Sequence, residues 1–262
     1  MKSRVGLCLI LVTVFVPAVL RAQGPAEGKN TVMIRGQAQD VYFFPAQGAR
    51  QRPYPKVLFA PGDGGWRGLA IKISQAIASW GYDVYGLDTK HYLESFTAES
   101  MLTVPDVMND LGMLAKWMTK STDERVNLVG WSEGAGLCLL GAAGSENKKT
   151  FTGLVGLGLT ENNVLAWRWS DYLTYITHRD SGEPGFGSLG FLPVVAPLPV
   201  MLIQSTGDEY VSAEASRRLY SAAREPKKLV LIDAQNHRFV GNRDELFRNL
   251  REGLQWIRQM TP

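Results

Sequence analysis

The chain has 262 residues, of which 45% are hydrophobic and 20% are charged, an ordinary composition for one large domain or two small ones. Its formal net charge is only +3, and no basic run with interleaved aromatic residues is present, so the sequence does not support nucleic-acid binding. Nothing in the composition indicates disorder or internal repeats.

The first 22 residues are predicted to be a signal peptide rather than part of the fold. Lys2 and Arg4 precede an apolar run that ends at Leu20 and is short for a transmembrane helix. We therefore expect export with cleavage near Ala22; an uncleaved anchor is the alternative. Removal of residues 1–22 lowers the basic count from 28 to 25, equal to the 25 acids, and leaves Cys138 as the only cysteine, so no intramolecular disulfide can form.

Beyond this segment, apolar runs alternate with stretches of helical periodicity. Strands are predicted at residues 31–35, 41–44, 56–60, 82–87, 126–129, 151–159, 200–204 and 228–232. Helices are predicted at residues 69–79, 104–120, 212–223 and 243–260, with one more directly after the 126–129 strand. Such alternation predicts a mostly parallel sheet covered on both faces, in a single domain from residue 23 to 262. The first two strands should form an antiparallel hairpin at the sheet edge, and residues 88–103 should be a connection.

Residues 160–199 interrupt this alternation with an irregular, aromatic and Gly/Pro-rich stretch. The stretch lies between two predicted sheet strands, which is where such folds accept insertions. We expect a small cap over the site, with Trp167 and Trp169 contacting the substrate; the alternative is that these aromatic residues are core.

The pattern Gly130-Trp-Ser-Glu-Gly134 is the centre of the chain's predicted chemistry. When a strand precedes G-x-S-x-G and a helix follows, the chain turns sharply and leaves the serine hydroxyl exposed at the turn. The glycines keep bulk away from the strained serine backbone. We therefore predict a nucleophile elbow at Ser132, flanked by Trp131 as a substrate contact. The alternative is a structural turn in which Ser132 caps the helix.

A serine nucleophile needs a positioned base, and the chain contains only three histidines. In α/β-hydrolases the catalytic order is Ser, then Asp or Glu, then His after the last strand. His237 fits this position, whereas His91 and His178 do not. Asp208 follows the preceding strand, as the acid that orients the imidazole requires, and Glu209 is its nearest competitor for this role. The alternatives for the two residues are helix capping by His237 and a helix-start carboxylate for Asp208.

The tetrahedral intermediate needs fixed N–H donors. The amide of Glu133, directly after the nucleophile, and the amide of Asp63, after the 56–60 strand, are predicted to form this oxyanion hole. The Asp63 carboxylate is unexpected beside an oxyanion, and one hypothesis is that it binds a cationic group on the substrate. The alternative is that Asp63 serves its own backbone amides.

The loop after the 56–60 strand is also predicted to line the substrate site. Its glycines let the backbone approach a substrate closely, and the residues concerned are Gly62, Gly64, Gly65 and Trp66. The loop lacks the G-K-[ST] ending of a phosphate-binding loop and the chain lacks G-x-G-x-x-G, so no nucleotide cofactor is expected. No cluster has metal-ligand spacing, so no metal is expected either.

Three segments together resemble the VirJ/AcvB-type bacterial virulence proteins, exported members of the α/β-hydrolase superfamily. They are Phe59-Ala-Pro-Gly-Asp-Gly-Gly-Trp66, Gly86-Leu-Asp88 followed by Tyr92, and Gly130-Trp-Ser-Glu-Gly-Ala135. The resemblance covers nearly the whole chain after the signal segment, although Trp131 and Glu133 stand where an aromatic or apolar pair is expected. It implies periplasmic activity, either as a hydrolase of aminoacyl-phosphatidylglycerol or in type IV secretion and virulence.

The sequence therefore predicts a periplasmic serine esterase with the α/β-hydrolase fold. The substrate implied by the resemblance is the lysyl or alanyl ester of phosphatidylglycerol, so the partner would be a membrane phospholipid headgroup. The alternatives are a general carboxylesterase or lipase-like hydrolase, and a non-catalytic accessory protein that binds a secretion component or an exported protein. We expect a monomer.

Overall fold

A computed structural model describes residues 25–48, 54–97, 101–119, 124–168 and 184–260. The predicted signal peptide and Trp169 lie outside these residues. Among the helices so described, none combines the length and hydrophobicity that crossing a membrane requires.

An eight-stranded sheet forms the centre of the described chain. Its strands are β1 (Gly28–Ile34), β2 (Gln37–Phe44), β3 (Lys56–Ala60), β4 (Val84–Leu87), β5 (Val126–Trp131), β6 (Phe151–Leu157), β9 (Val200–Ser205) and β10 (Lys227–Ile232). A separate antiparallel pair consists of β7 (Asn162–Val164) and β8 (Gly185–Gly187). The spatial order is β1-β2-β4-β3-β5-β6-β9-β10, in which neighbours from β4 to β10 run parallel. This confirms the predicted parallel sheet and the α/β-hydrolase fold class.

Helices cover both faces of the sheet. They are α1 (Leu69–Ser79), α2 (Thr89–Ser95), α3 (Val104–Met118), α4 (Glu133–Ala143), α5 (Ser188–Val195), α6 (Ala213–Ala222) and α7 (Arg243–Met260), with a 3₁₀ turn at Ser145–Lys149. Side chains alternate across β3, so Leu58 packs into the core beneath α3 and α4, whereas Phe59 packs into the core beneath α1 and α7. The sheet is therefore buried on both faces, as its near-continuous apolar strands predict.

The antiparallel edge hairpin is confirmed: β1 pairs with β2 in a register that runs from Gly28 opposite Phe43 to Ile34 opposite Gln37. The interpretation of residues 88–103 as a plain connection is wrong, because this segment contains α2. The Asp88 side chain caps α2 by accepting the His91 N–H at 3.3 Å. The helix has only seven residues, too few for helical periodicity to stand out in the sequence.

The predicted strand 151–159 ends two residues early, at Leu157. Gly158 adopts φ of +59°, a left-handed conformation that stops the strand. Further along, the described part of the 160–199 stretch forms β7, β8 and α5, and α5 packs against α4. Its role as a cap stays a prediction.

Candidate active site

Ser132 lies at the turn between β5 and α4, with φ of +56° and ψ of −128°. A positive φ is rare for a residue with a side chain and costs on the order of 1–3 kcal/mol. The turn is held because the Ser132 N–H donates to the Leu157 carbonyl at 2.9 Å, while the Ser132 carbonyl accepts the Ala135 N–H at 2.8 Å. The Ser132 side chain makes no capping hydrogen bond. The strand, turn and helix thus have the geometry predicted for a nucleophile elbow.

The two glycines of the pattern are required by close packing at this turn. A Cβ on Gly130 would lie 2.3 Å from the Cα of Ala135, and one on Gly134 would lie 2.1 Å from the Ala60 carbonyl oxygen. Both distances are far shorter than van der Waals contact. The small residues therefore let α4 start directly against the end of β3.

His237 and Asp208 are brought together from the loops after β10 and β9. The His237 Nδ1 and the Asp208 Oδ2 are 2.6 Å apart, and the Asp208 side chain is fully buried. The second carboxylate oxygen, Oδ1, accepts the N–H groups of Tyr210 at 2.8 Å and Val211 at 3.0 Å. These bonds fix the Asp208 carboxylate in an orientation that holds the imidazole.

Four further residues contact His237, and two of them, Gly158 and Tyr210, were not singled out from the sequence. A Cβ on Gly158 would lie 2.5 Å from the His237 Cε1, so only glycine leaves room for the ring. The Tyr210 ring meets it edge-on at 5.2 Å, and the Glu209 carboxylate accepts the His237 N–H at 2.8 Å. Trp131 donates from Nε1 to the His237 carbonyl at 3.3 Å. A glycine near the end of the predicted 151–159 strand, directly after β6 in the structure, was the available sequence signal for Gly158.

The remaining ring nitrogen, His237 Nε2, is buried and has no hydrogen-bond partner in the part of the chain that the structure describes. Since Nδ1 faces Asp208, Nε2 points to the opposite side of the ring. Hydrogen bonds between a catalytic base and its nucleophile are often long before substrate binds. The structure thus forms the His–Asp interaction and leaves Nε2 available to a hydroxyl group.

The loop after β3 lies directly against Ser132. A Cβ on Gly62 would lie 3.2 Å from the Ser132 Cβ and 3.7 Å from its Oγ. At the other side, the Glu133 N–H belongs to the first turn of α4, where amides have no partner within the helix. Asp63 follows Gly62, so the two amides predicted for the oxyanion hole lie on segments that flank the serine. Their role as donors stays a prediction.

Both of these residues carry carboxyl groups with raised pKa values. Burial and, to a smaller extent, the nearby Asp63 together raise the pKa of Glu133 to about 8, against the lowering effect of the Val164 N–H, which lies 3.3 Å from Oε2. Burial also raises the pKa of Asp63, against the lowering effects of His237, the Asp63 and Gly64 amides and Arg238. The Asp63 side chain therefore accepts hydrogen bonds from backbone amides of its own loop. Because Glu133 is largely protonated near pH 7, the two acids together carry about one negative charge.

The raised pKa of Glu133 should make the protein less stable as pH rises. The folded state holds this proton up to about pH 8, whereas an ordinary Glu releases it near 4.5, so the free energy of unfolding falls between these values. Glu133→Gln has no such proton to lose. Thermal unfolding from pH 5 to 8 should therefore show the variant gaining about 1–3 kcal/mol over the wild type, after allowance for solvent screening.

The exposed acid Glu146, in the 3₁₀ turn, provides the matched control, and Glu146→Gln should follow the wild-type pH curve. If Glu133→Gln also ran parallel to the wild type from pH 5 to 8, the buried, proton-holding state of Glu133 would be wrong.

Two predicted substrate contacts have structural interactions of their own. Trp66 stacks on Tyr42 at 4.6 Å with parallel rings and fills the space over Gly86, where a Cβ would lie 1.7 Å from the indole. The Lys90 ammonium lies 3.7 Å above the Trp167 ring, and the backbone N–H of Trp167 donates to Thr97 Oγ1 at 2.9 Å. Trp66 therefore packs on the sheet, and Trp167 joins the 160–199 stretch to α2.

The loop glycines complete this edge of the site. Gly64 is exposed, and a Cβ there would lie 3.7 Å from the Arg67 guanidinium. Gly65 has φ of +80° and lies against Asp88 and Lys90. Within the described ranges, no group of three or more His, Cys, Asp or Glu side chains could hold a metal ion.

Comparison with known proteins gives a family match over part of the chain and the fold over most of it. Residues 56–162 match the family model described as "Bacterial virulence protein (VirJ)", a segment that contains β3, the Gly62–Trp66 loop and the elbow. The predicted resemblance to VirJ is confirmed over this segment. A protein of Escherichia coli (strain K12), named "Uncharacterized protein YfhR", is 33% identical over 76 residues, which are 26% of this chain and 27% of that protein. The match thus spans about a quarter of that relative's length.

Solved structures show the fold over most of the chain. Est1E from Butyrivibrio proteoclasticus has a TM-score of 0.65 at 14% identity, covering 88% of this chain and 99% of its own. A dienelactone hydrolase from Anabaena variabilis has a TM-score of 0.62 at 19% identity, covering 89% and 98%. These similarities establish the α/β-hydrolase fold.

Proposed function

We propose that this chain, a VirJ-type sequence on an α/β-hydrolase fold, is a serine hydrolase of carboxylic esters. Ser132 would act as the nucleophile, His237 as the base and Asp208 as the acid that orients it. The observation that carries the proposal is the 2.6 Å contact between His237 Nδ1 and Asp208, which leaves buried Nε2 facing away from the acid. Ser132, strained at a strand-to-helix turn, has the geometry expected of the nucleophile that such a base would deprotonate.

The reaction would proceed in two acyl-transfer steps. His237 Nε2 takes the Ser132 proton while Oγ bonds to the ester carbonyl carbon, and the C–O bond to the alcohol breaks as Nε2 returns the proton to the leaving oxygen. Water then attacks the acyl-enzyme with the same base, releasing the carboxylic acid and regenerating the serine. Asp208 stabilises the imidazolium formed in each step. The amides of Glu133 and Asp63 would stabilise the oxyanion.

The substrate we propose is the aminoacyl ester of a lysyl- or alanyl-phosphatidylglycerol, cleaved in the periplasm. Three features support it: the VirJ match, the predicted signal segment, and the two carboxyl groups beside Ser132. Acids are unfavourable beside a developing oxyanion unless a cation offsets them. An aminoacyl ester carries such a cation next to its carbonyl group.

Labelling by a fluorophosphonate probe tests the catalytic part of the proposal. The wild type should be labelled covalently, and Ser132→Ala should abolish labelling because the probe captures an activated serine. Ser145→Ala, which changes an exposed serine in the 3₁₀ turn, should label like the wild type. A folded wild type that does not react would contradict the catalytic assignment and favour the binding-only alternative.

Incubation with vesicles that contain lysyl- or alanyl-phosphatidylglycerol tests the substrate. The wild type should release the free amino acid and phosphatidylglycerol, and Ser132→Ala should release neither. The enzyme could instead react with the probe and cleave simple esters while it leaves both lipids intact. That result would contradict the proposed substrate and favour a general carboxylesterase.

A further inference from the structure

Two carboxyl groups approach Ser132 from different elements. Glu133 follows Ser132 at the start of α4, and its Oε2 accepts the Val164 N–H at 3.3 Å. Asp63 comes from the loop after β3 and follows Gly62, the residue whose added Cβ would touch the serine. Both residues therefore flank the position that an acyl group bonded to Ser132 Oγ would occupy, and the charge of Asp63 acts on the Glu133 carboxyl.

These acids are not neutralised by the protein. Among the described residues, neither the Asp63 nor the Glu133 carboxylate lies in an ion pair with a lysine or arginine. Arg238 acts on Asp63 only as a more distant charge, and it is exposed. A half-buried Asp63 carboxylate without a protein cation is costly, so a cationic ligand group would stabilise it.

A third polar group points into the same space. His237 is only 5% exposed, and its Nε2 has no partner among the described residues. The charge of His237 acts on Asp63, which places the imidazole and this acid around one site. An unpartnered, buried ring nitrogen beside two acids indicates a ligand that brings its own polar groups.

We propose that Glu133 and Asp63 together bind the α-ammonium group of the aminoacyl ester, and that they do not bind an ammonium further along its side chain. The inference rests on the proposed function and adds which amino group is recognised. The α-ammonium is one carbon from the scissile carbonyl, whereas the ε-ammonium of a lysyl group lies four methylene groups further away. Residues adjacent to the nucleophile and to its oxyanion loop lie nearer to the first of these.

The charges of the two partners match. The acid pair carries about one negative charge near pH 7 because Glu133 retains its proton, and an α-ammonium carries one positive charge. Its three N–H donors can bind the Asp63 carboxylate and, at the same time, the side-chain carbonyl oxygen of the protonated Glu133 carboxyl group. The bound cation also lies next to the carbonyl oxygen, so it would favour the oxyanion in the transition state. Alanyl and lysyl esters would then be cleaved alike, and an acyl ester without an α-amine poorly.

Ester pairs that differ only in the amine test this on the wild-type enzyme. The alanyl and isobutyryl esters of one alcohol differ by an ammonium in place of a methyl group. An α-ammonium itself activates the adjacent carbonyl, so each kcat/KM is divided by the hydroxide-catalysed rate of the same ester, and the corrected value should be roughly 10- to 100-fold higher for the alanyl ester. The norleucyl ester, with an α-amine alone, should be cleaved like the lysyl ester. The 6-aminohexanoyl ester, with only the distant amine, should be as poor as the isobutyryl ester.

Variants connect this preference to the two acids. Glu133→Leu, which removes the carbonyl acceptor, and Asp63→Asn, which removes the charge, should each reduce the ratio of alanyl to isobutyryl kcat/KM at least roughly fivefold, and Glu146→Leu should leave the ratio unchanged. Equal cleavage of the alanyl and isobutyryl esters by a probe-reactive enzyme would overturn this inference alone. An enzyme that cleaves none of the esters and resists the probe would overturn the proposed function together with it. The wild-type comparison decides the matter even where a variant does not fold.

Discussion

Replacement of His237 by alanine is expected to lower kcat for ester hydrolysis by about a thousandfold or more. Nε2 is the ring nitrogen left free by the Asp208 contact, so its loss removes the only described imidazole that can take the Ser132 proton. KM should change little, because the ring assists proton transfer rather than holding the acyl group. Steady-state kinetics on one soluble ester, with the fold verified by circular dichroism, measures both quantities.

His91→Ala is the matched control. The His91 ring is half-buried and contacts the Ala38 carbonyl of β2 at 2.9 Å, and β4 and β3 separate β2 from the elbow strand β5. Its removal should leave kcat within about twofold of the wild type. Asp208→Asn should lower kcat by a large factor even though the side chain keeps its position, because the amide can hold the imidazole in the wrong tautomer. If His237→Ala retained wild-type kcat, a different base would have to serve Ser132.

Sequence reasoning could place these residues because the topology does most of the positioning. In a parallel sheet every strand ends at the same edge, so the loops after β5, β9 and β10 converge wherever their exact boundaries fall. The elbow is also a local device, since Gly130 and Gly134 are needed within five residues of each other. Predicting the order Ser, Asp, His therefore required only the strand count and three motifs.

The contacts that surround the imidazole could not be predicted in the same way. Gly158 precedes His237 by 79 positions in the sequence, and its importance comes from one ring that packs against its backbone. The hydrogen bond from the His237 N–H to Glu209 likewise depends on how two loops meet. Trp66 was read as a substrate contact because it follows a glycine-rich loop, yet its ring stacks on Tyr42 of the edge hairpin. Such pairings depend on tertiary packing, which periodicity does not encode.

Glu133 was the least expected residue of the elbow, and its physical setting explains how an acid is tolerated there. Burial raises the pKa of its carboxyl to about 8, so near neutral pH it adds little negative charge beside the nucleophile. The half-buried position at the start of α4 is thus compatible with an oxyanion a few atoms away. The same acid would carry a charge in a more exposed site, where it would oppose the reaction.

Gly134→Ala is expected to destabilise the protein by about 3 kcal/mol, or roughly 10 °C in Tm for a domain of this size. The added Cβ would lie 2.1 Å from the Ala60 carbonyl oxygen and 2.3 Å from that of Pro61. Neither oxygen can retreat easily, because β3 is hydrogen-bonded between β4 and β5. Relief would have to come from a shift of α4, which begins at Glu133 next to the nucleophile. Activity should therefore fall together with Tm.

Gly190→Ala separates this packing effect from helix propensity. Gly190 also lies in a helix, α5, but a Cβ there meets nothing within 4 Å. Alanine should consequently raise stability by up to about 1 kcal/mol through the lower backbone entropy of the unfolded chain. Differential scanning calorimetry should thus show opposite shifts for the same substitution in two helices. A Gly134→Ala protein with wild-type Tm would mean that α4 and β3 are packed less closely than the structure shows, and the position of Ser132 between them would then be less constrained.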